Sequence, residues 1–263
     1  MGRLEGKAAV IIGAAGKDNM GQAMARRFRS EGAQVTVAGR NLDNLKAFAA
    51  EIGGHAIACD ITKRDEVIAL GRKAKALMGS VTIGVNATGW GLLEPFLDIR
   101  DETLDKMVAL QFKGPIYFFQ SMIEAMDKGG SIIQISSATA KIMLNNHASY
   151  MGTKAGIDHV VRVVAHEFGE RGIRCNSISP GLTDTPMTAE AKEVPGLFES
   201  FRAGYPLGRW GTTADIAAAA VFLASDECFM TGENLQVNGG LTLRRNPSAK
   251  ELEEAIARAS VQR

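Results

Sequence analysis

The sequence predicts an α/β protein in which a doubly wound parallel sheet of about seven strands is covered by helices on both faces. Short apolar runs alternate with longer helical stretches along most of the chain. Such alternation is typical of parallel strands that are connected by helices and buried on both sides. No linker, repeat or low-complexity tract divides the 263 residues, so we expect a single domain over residues 1–263.

The individual elements follow from the same alternation. Candidate strands are 7–12, 33–38, 54–58, 82–86, 131–135, 173–177 and 233–237, and candidate helices are 20–31, 42–51, 63–78, 102–127, 148–170 and 213–224. The segment 182–210, with three prolines, fits the alternation least, and we expect it to form a lid over a substrate. Residues 244–263 form a C-terminal extension whose helix packs on another subunit or over the site, or is a frayed end.

Composition narrows the class of partner. The formal net charge is +1 with no basic block, which gives no support to nucleic-acid binding. The first apolar run, residues 8–12, is too short to span a bilayer. Three cysteines lie far apart without metal-ligand spacing, so we expect reduced core thiols, no metal site and a cytoplasmic protein.

The first predicted strand ends in a glycine-rich turn, Gly13 to Gly21, which opens a helix. Glycines allow backbone N–H groups to approach a pyrophosphate, and the helix N-terminus adds partial positive charge. A plain glycine-rich turn is the alternative. The turn therefore predicts a dinucleotide-phosphate site.

The second predicted strand ends at Gly39, where an acid for an adenosine ribose would be expected, and Arg40 follows. A guanidinium binds phosphate through two parallel hydrogen bonds, so Arg40 suits a 2′-phosphate, with Lys17 as a second positive charge. The alternative is a solvated loop arginine. Asp60 and Asn86 close the third and fourth strands, at the edge where open α/β sheets bind ligands.

A further pattern lies at 137–154. Tyr150 and Lys154 are four apart on a predicted helix and therefore share one face. A nearby ammonium favours the phenolate, so we expect Lys154 to lower the pKa of Tyr150. Ser137 ends the preceding strand and can share an oxygen ligand with Tyr150. Alone, such a pair is more often an ordinary helix surface.

Together these residues resemble the short-chain dehydrogenase/reductase family over residues 7 to about 243. The family motifs occur in order: the turn 13–21, Asp60, 86–89, Ser137, Tyr150 with Lys154, 176–181 with Thr185, 206–211 and 231–240. The resemblance implies a Rossmann-type fold. It also implies hydride transfer between a nicotinamide dinucleotide and an alcohol or carbonyl, usually in a homotetramer.

The resemblance also implies roles. Tyr150 would be the general acid/base, Lys154 would lower its pKa and hold the nicotinamide ribose, and Ser137 would bind the substrate oxygen. Gln111 stands at the position of a fourth catalytic residue, normally asparagine, that passes protons through its backbone carbonyl. The implied cofactor-binding residues are Gly13, Lys17, Met20, Gly21, Arg40, Asp60, Ile61, Asn86, Tyr150, Lys154, Pro180, Gly181, Thr183 and Thr185.

The sequence departs from the family pattern at several positions. The outer glycines of the turn are two residues further apart than usual, and Asn19 replaces a glycine. The strand-4 motif has Ala87 and Thr88 where Asn and Ala are usual. Enoyl reductases of the family place their tyrosine seven residues before the lysine, where this chain has His147. That histidine could face the substrate or be a surface or capping residue.

We therefore predict an oxidoreductase that favours NADP(H), with NAD(H) as the alternative, and interconverts a ketone and a secondary alcohol. Six apolar residues after the motif ends form a substrate wall or simply pack in the core: Trp90, Leu92, Phe96, Ile142, Met143 and Leu144. They favour an apolar cyclic, aryl, steroid-like or 3-oxoacyl substrate. A dinucleotide-binding regulatory protein without turnover is the alternative, motivated by Gln111 and the altered turn.

Overall fold

The computed structural model describes residues 2–261 and contains the expected parallel sheet of seven strands. Met1 and residues 262–263, which belong to the predicted domain and extension, lie outside the described residues. The sheet has the order β3-β2-β1-β4-β5-β6-β9. Its strands are β1 (Ala8–Ile12), β2 (Gln34–Gly39), β3 (His55–Ala58), β4 (Ile83–Asn86), β5 (Gly130–Ile135), β6 (Ile173–Pro180) and β9 (Asn234–Val237). Two short strands, β7 (Thr183–Asp184) and β8 (Gly211–Thr212), pair separately.

Helices connect the strands and cover both faces of the sheet. They are α1 (Met20–Ser30), α2 (Leu42–Ile52), α3 (Arg64–Met78), α4 (Asp101–Val108), α5 (Gly114–Ala125), α6 (Ala148–Phe168), α7 (Ala189–Glu193), α8 (Leu197–Arg202), α9 (Thr213–Ala224) and α10 (Ala249–Val261). The strand order reverses direction between β1 and β4, which is the crevice where doubly wound sheets bind ligands.

The strands divide the core because successive side chains point to opposite faces. In β1, Ala9 and Ile11 pack with α1, α2 and α9, whereas Ala8, Val10 and Ile12 pack with α3, α5 and α6. Both clusters are almost fully buried. The strands are thus buried on both faces, which confirms the explanation of their uniformly apolar sequences. The three cysteines are buried free thiols, as expected.

The predicted helix 102–127 is wrong as a continuous element. A π-helical segment, Ala109–Lys113, separates α4 from α5. Pro115 lies at the start of α5, where a missing N–H is tolerated. The sixth strand also continues three residues further than predicted, to Pro180, because β9 pairs with it up to Val237.

The excursion 182–210 contains β7, α7 and α8, and the C-terminal extension packs against it. Gly196 begins α8 with φ +78° and lies against the backbone of Ala255 in α10. The Asn246 side chain donates to the carbonyl oxygen of Met143 at 3.0 Å. Of the alternatives for the tail, the described residues therefore adopt an ordered helix that covers the excursion.

The part of the chain that the structure describes has neither a membrane-spanning helix nor a cluster of metal ligands. None of its helices has the length and apolar character needed to cross a membrane. No group of three or more histidine, cysteine or acidic side chains within residues 2–261 is arranged to hold a metal ion.

The contact between Gly196 and α10 can be tested with a matched pair of glycines. A Cβ at Gly196 would lie 2.6 Å from the Ala255 carbonyl oxygen, whereas Gly208 has a similar positive φ of +71° and open space around it. Gly208→Ala should cost about 1–2 kcal/mol of stability from left-handed strain alone. We expect Gly196→Ala to cost clearly more in thermal unfolding and to increase proteolytic cleavage of the tail. Equal losses for both variants would contradict this packing.

Candidate active site

The predicted site residues follow the carboxyl ends of neighbouring strands. Gly13 follows β1, Arg40 follows β2, Asn86 ends β4, Ser137 follows β5 and Pro180 ends β6. Because these strands are parallel, their carboxyl ends meet at one edge of the sheet. The fold thus brings residues from distant parts of the sequence into one crevice.

Lys154 is the most buried charged residue of this edge. Its side chain is 2 % exposed, and its Nζ donates to the carbonyl oxygen of Ile135 at 2.8 Å. The same ammonium lies 5.5 Å from the centre of the Tyr150 ring. The Ser137 hydroxyl pairs with Thr139 Oγ1 at 2.8 Å and lies near enough to the Tyr150 phenol to lower the pKa of that phenol. Ser137, Tyr150 and Lys154 therefore converge as the sequence predicted.

The pKa of the Tyr150 phenol is governed mainly by its burial. Burial of the phenol raises its pKa above the ordinary value, and the Ser137 hydrogen bond offsets this only in part. Burial also lowers the pKa of Lys154 to about 8, while Asp158 raises it. Lys154 is not among the groups that shift the Tyr150 pKa here, where removal from water dominates, so its expected lowering of that pKa stays a prediction. A phenol of this kind holds its proton at neutral pH.

Asp158 is a site neighbour that the sequence analysis missed. It lies one helical turn after Lys154, and its Oδ2 accepts from Ser136 Oγ at 2.8 Å and Asn234 Nδ2 at 2.5 Å. Desolvation raises the pKa of this carboxyl group. Its spacing of four residues from Lys154 on a predicted helix could have indicated that the two side chains are neighbours. Asp158 thus places a carboxyl group one helical turn after the predicted catalytic lysine.

Gln111 lies in the middle of the π-helical segment. Its Oε1 accepts from the Trp90 amide at 3.1 Å, and its Nε2 donates to Thr153 Oγ1 at 3.1 Å. A Cβ placed on Gly89 would lie 3.3 Å from this Oε1 and 3.9 Å from Lys154 Nζ. The helix therefore changes from α to π type at Gln111, and the side chain of Gln111 links the loop after β4 to α6.

The glycine-rich turn is tightly packed. A Cβ at Gly13, whose φ is +96°, would meet the Ala87 backbone at 2.7 Å, and one at Gly21 would meet the Gly13 carbonyl oxygen at 2.8 Å. Asn19, the unusual residue of the turn, caps α1: its side chain accepts from Gln22 N and donates to the Gly13 carbonyl. Exposed backbone ahead of a helix start is the arrangement that a pyrophosphate needs.

Charged groups flank this turn on the side of β2. Arg40 and Lys17 are both exposed. Nearby Arg26 is already paired with Asp18 and Glu51, and these ion pairs do not involve Arg40. A Cβ at Gly39 would be 3.0 Å from the Ala15 side chain, so an acid for a ribose has little room there. These residues suit a dinucleotide that carries an additional phosphate.

Three predicted adenosine-side residues already have partners within the protein. Asp60 Oδ1 accepts from the backbone and hydroxyl of Thr62. Ile61 is 3 % exposed and belongs to the core. Asn86 is fully buried, with its Nδ2 donating to Gln134 Oε1 at 2.9 Å. Their side chains shape the strand ends, and their contacts with an adenosine stay predictions.

The remaining predicted cofactor residues lie after β6 and beside the turn. Gly181 packs against the Tyr205 hydroxyl, and a Cβ there would be 2.4 Å away. Thr183 Oγ1 donates to the Gly181 carbonyl oxygen at 3.0 Å, and the Thr185 amide donates to Thr188 Oγ1 at 3.1 Å. Met20 is half-buried at the start of α1. This side of the crevice is preorganised by short-range hydrogen bonds.

The substrate side of the crevice is mainly apolar. Met187, in the excursion, is 61 % exposed and extends over Gly89 and Gly91, with its Sδ 3.4 Å from a Cβ placed on Gly91. Phe96 and Met143 are also largely exposed, whereas Ile142 packs against Tyr205 and Leu241. Of the residues predicted to form a substrate wall, some are therefore exposed, such as Phe96 and Met143, and others belong to the core, such as Ile142.

His147 is the polar residue of this region. It is 9 % exposed, its Nδ1 lies 2.6 Å from the Leu92 carbonyl oxygen, and its ring stacks on Tyr150 with centroids 4.2 Å apart. Desolvation lowers the pKa of His147 below its ordinary value. Of the two sequence interpretations, the structure favours a residue of the site over a surface histidine.

Comparison with known proteins identifies a broad set of relatives. A family model described as enoyl-(acyl carrier protein) reductase matches residues 13–242. The chain is 33 % identical to D-threitol dehydrogenase of Mycolicibacterium smegmatis over 92 % of this chain and 95 % of that protein. It is 35 % identical to a 2,5-dichloro-2,5-cyclohexadiene-1,4-diol dehydrogenase of Sphingobium indicum, over 90 % of this chain and 97 % of that protein. The solved structure of a short-chain type dehydrogenase/reductase from Mycobacterium ulcerans superimposes with a TM-score of 0.89 at 29 % identity. The match covers 97 % of this chain and 98 % of that one.

The place of Gln111 within the π-helical segment generates a prediction about proton supply. If the backbone carbonyl of this residue relays protons, its side chain can change while the carbonyl stays in place. Gln111→Asn should then alter kcat for carbonyl reduction by less than about tenfold, or roughly 1.4 kcal/mol of barrier. Gln111→Ala should also keep substantial activity. Steady-state kinetics of the wild type and both variants test this prediction. It would be refuted if the wild type reduced none of the carbonyl compounds while the Gln111→Asn variant gained turnover.

Proposed function

This chain belongs to the short-chain dehydrogenase/reductase family of oxidoreductases, and on that premise we propose that it interconverts a ketone and a secondary alcohol, favouring NADP(H) as cofactor. The observation that carries the proposal is the convergence of Ser137, Tyr150 and Lys154 beside the glycine-rich turn. Its relatives act, by their names, on alcohols such as threitol and a cyclohexadiene diol.

The residues of the chain have distinct tasks in carbonyl reduction. The bound nicotinamide would supply the hydride. Ser137 orients the substrate oxygen by a hydrogen bond, and Tyr150 donates its proton to that oxygen. Because burial raises the pKa of the phenol, Tyr150 is protonated and ready to act as an acid at neutral pH. Lys154 stabilises the negative charge that remains on the phenol oxygen.

The cofactor preference rests on the end of β2. Gly39 leaves no carboxylate to repel a phosphate, and the exposed Arg40 can bind one through two hydrogen bonds. Lys17 adds a second positive charge from the glycine-rich turn. NAD(H) remains the alternative cofactor. An adenosine 2′-phosphate is therefore the distinguishing feature that we assign to this end of the site.

For the substrate, we propose an apolar ketone of moderate size, such as a cyclic, aryl, steroid-like or 3-oxoacyl compound. The exposed Phe96, Met143 and Met187 support an apolar rim, and the excursion 182–210 would act as a lid that excludes water. Enoyl reduction, suggested by the description of the family model, is less well supported because His147 stands where that chemistry uses a tyrosine. A panel of ketones and enoyl thioesters, assayed by NADPH oxidation, tests this choice.

The same panel separates the enzyme from a regulatory protein without turnover. The π-helical segment interrupts the regular α-helix at Gln111, and this interruption supports a proton relay through the backbone carbonyl of that residue. Wild-type protein that binds NADPH yet reduces none of the ketones would favour regulation. The cytoplasmic location stays a prediction, which fractionation of cells that contain the protein can test.

Tyr150→Phe removes only the phenol oxygen and its proton. We expect kcat to fall by roughly 10²–10⁴-fold, the usual contribution of general acid catalysis, with folding and cofactor binding retained. Tyr117→Phe, the same change on α5, is the matched control and should behave like wild type. A Tyr150→Phe enzyme within threefold of wild-type kcat would contradict the assignment.

Arg40→Ala should weaken NADPH binding much more than NADH binding. A hydrogen bond to a charged group is worth about 1.5–3 kcal/mol, or roughly 10–150-fold in Kd. Titration of both cofactors measures the difference. Arg72→Ala, on an exposed position of α3, controls for the change in net charge. Equal losses for both cofactors, or a wild type that prefers NADH, would argue against phosphate binding by Arg40.

We also propose a homotetramer. The edge strand β9 is only half-buried, and Leu104 of α4 and Val163 of α6 are partly exposed apolar residues on elements expected to form contacts. Association would remove this surface from water. Light scattering at micromolar protein should give about four times the mass of 28.0 kDa per chain. A monomer at that concentration would be inconsistent with the proposal.

A further inference from the structure

The buried imidazole of His147 has a defined position next to the predicted general acid. It lies at the N-cap of α6, three residues before Tyr150, and its ring is inclined by only 24° to the phenol ring at 4.2 Å between centroids. The bond from Nδ1 to the Leu92 carbonyl oxygen holds the ring from the opposite loop. The orientation of His147 is thus fixed by two independent contacts.

The Leu92 contact also fixes where the proton is. A carbonyl oxygen only accepts hydrogen bonds, so Nδ1 must be the protonated nitrogen. In a neutral ring the other nitrogen, Nε2, then carries a free lone pair. Burial of the ring lowers its pKa and so favours this neutral form. His147 is therefore a hydrogen-bond acceptor at Nε2.

The Nε2 atom is available to a ligand. Among the described residues it has no hydrogen-bond partner, and it is not one of the buried side-chain atoms left without one, which are Thr36 Oγ1, Asp158 Oδ1, Ser177 Oγ and Asn238 Oδ1. Nε2 is therefore not fully enclosed by protein atoms, and the ring that carries it is stacked on Tyr150.

We propose that His147 Nε2 accepts a hydrogen bond from a second hydroxyl group of the substrate, one or two carbons from the reacting carbon. The substrates of this chain are then hydroxy ketones and the corresponding diols, in preference to isolated ketones and alcohols. This inference rests on the proposed function and specifies its substrate class. His147 acts in recognition and takes no part in the proton transfer itself.

The physical basis of the preference is the cost of an unpaired acceptor. A substrate with the second hydroxyl replaces the water on Nε2, whereas its deoxy analogue displaces that water and leaves the lone pair unsatisfied. Sites that hydrogen-bond a substrate hydroxyl discriminate against the analogue without it more strongly than apolar pockets discriminate by size. The stack on Tyr150 keeps the acceptor close to the reacting oxygen.

The test uses one matched pair of substrates, 2-hydroxycyclohexanone and cyclohexanone. We expect the wild type to favour the hydroxy ketone by roughly 10-fold or more in kcat/KM. His147→Phe keeps an aromatic ring for the Tyr150 stack and removes the acceptor, so this ratio should fall towards one, mainly through a higher KM for the hydroxy ketone. His147→Ala removes both acceptor and ring and should lose the ratio as well.

Each outcome decides between recognition and mere packing. A wild-type ratio near one overturns the inference even if neither variant folds, and it leaves the proposed function intact when both ketones are reduced. A ratio lost in His147→Ala and kept in His147→Phe assigns the histidine to stacking alone and also overturns it. A wild type that reduces neither ketone overturns both this inference and the proposed function.

Discussion

The buried ammonium of Lys154 is the interaction on which the arrangement of the site depends. Its bond to the Ile135 carbonyl fastens α6 to the end of β5. Ser137 follows two residues after that carbonyl, and Tyr150 lies one helical turn before the lysine. One hydrogen bond therefore sets the relative positions of the three candidate catalytic groups, and the packing of α6 against the core maintains them.

This arrangement has a cost in stability. Burial lowers the pKa of Lys154 from 10.5 to about 8, which corresponds to roughly 3 kcal/mol at 1.36 kcal/mol per unit. Between these two values the unfolded chain binds more protons at this residue, so its contribution to stability rises with pH across that window. The carboxyl group of Asp158 partly offsets the cost. The rest of the fold thus keeps the Lys154 ammonium buried although water would stabilise its charge better. Such a local loss of stability is expected of a functional centre.

The crevice combines two environments along its length. One end, around Arg40 and Lys17, is exposed and positively charged, whereas the other end is lined by apolar side chains such as the partly exposed Met187 over Gly89 and Gly91. His147 is a polar exception within the apolar end. The departures from the family pattern are accommodated locally: Asn19 becomes a helix cap, and Gln111 uses its extra length to join two elements.

The sequence by itself determined the sheet, its edge and most of the candidate residues. Apolar periodicity reports burial directly, and the carboxyl ends of parallel strands must share an edge, so Gly13, Ser137 and Lys154 could be brought together without coordinates. The tertiary structure decided what depends on long-range contacts. Desolvation raised the pKa of Tyr150, a bond to Leu92 set the tautomer of His147, and packing on α8 gave the tail a partner. Such properties arise from atoms far apart in sequence, whose distances no local pattern encodes.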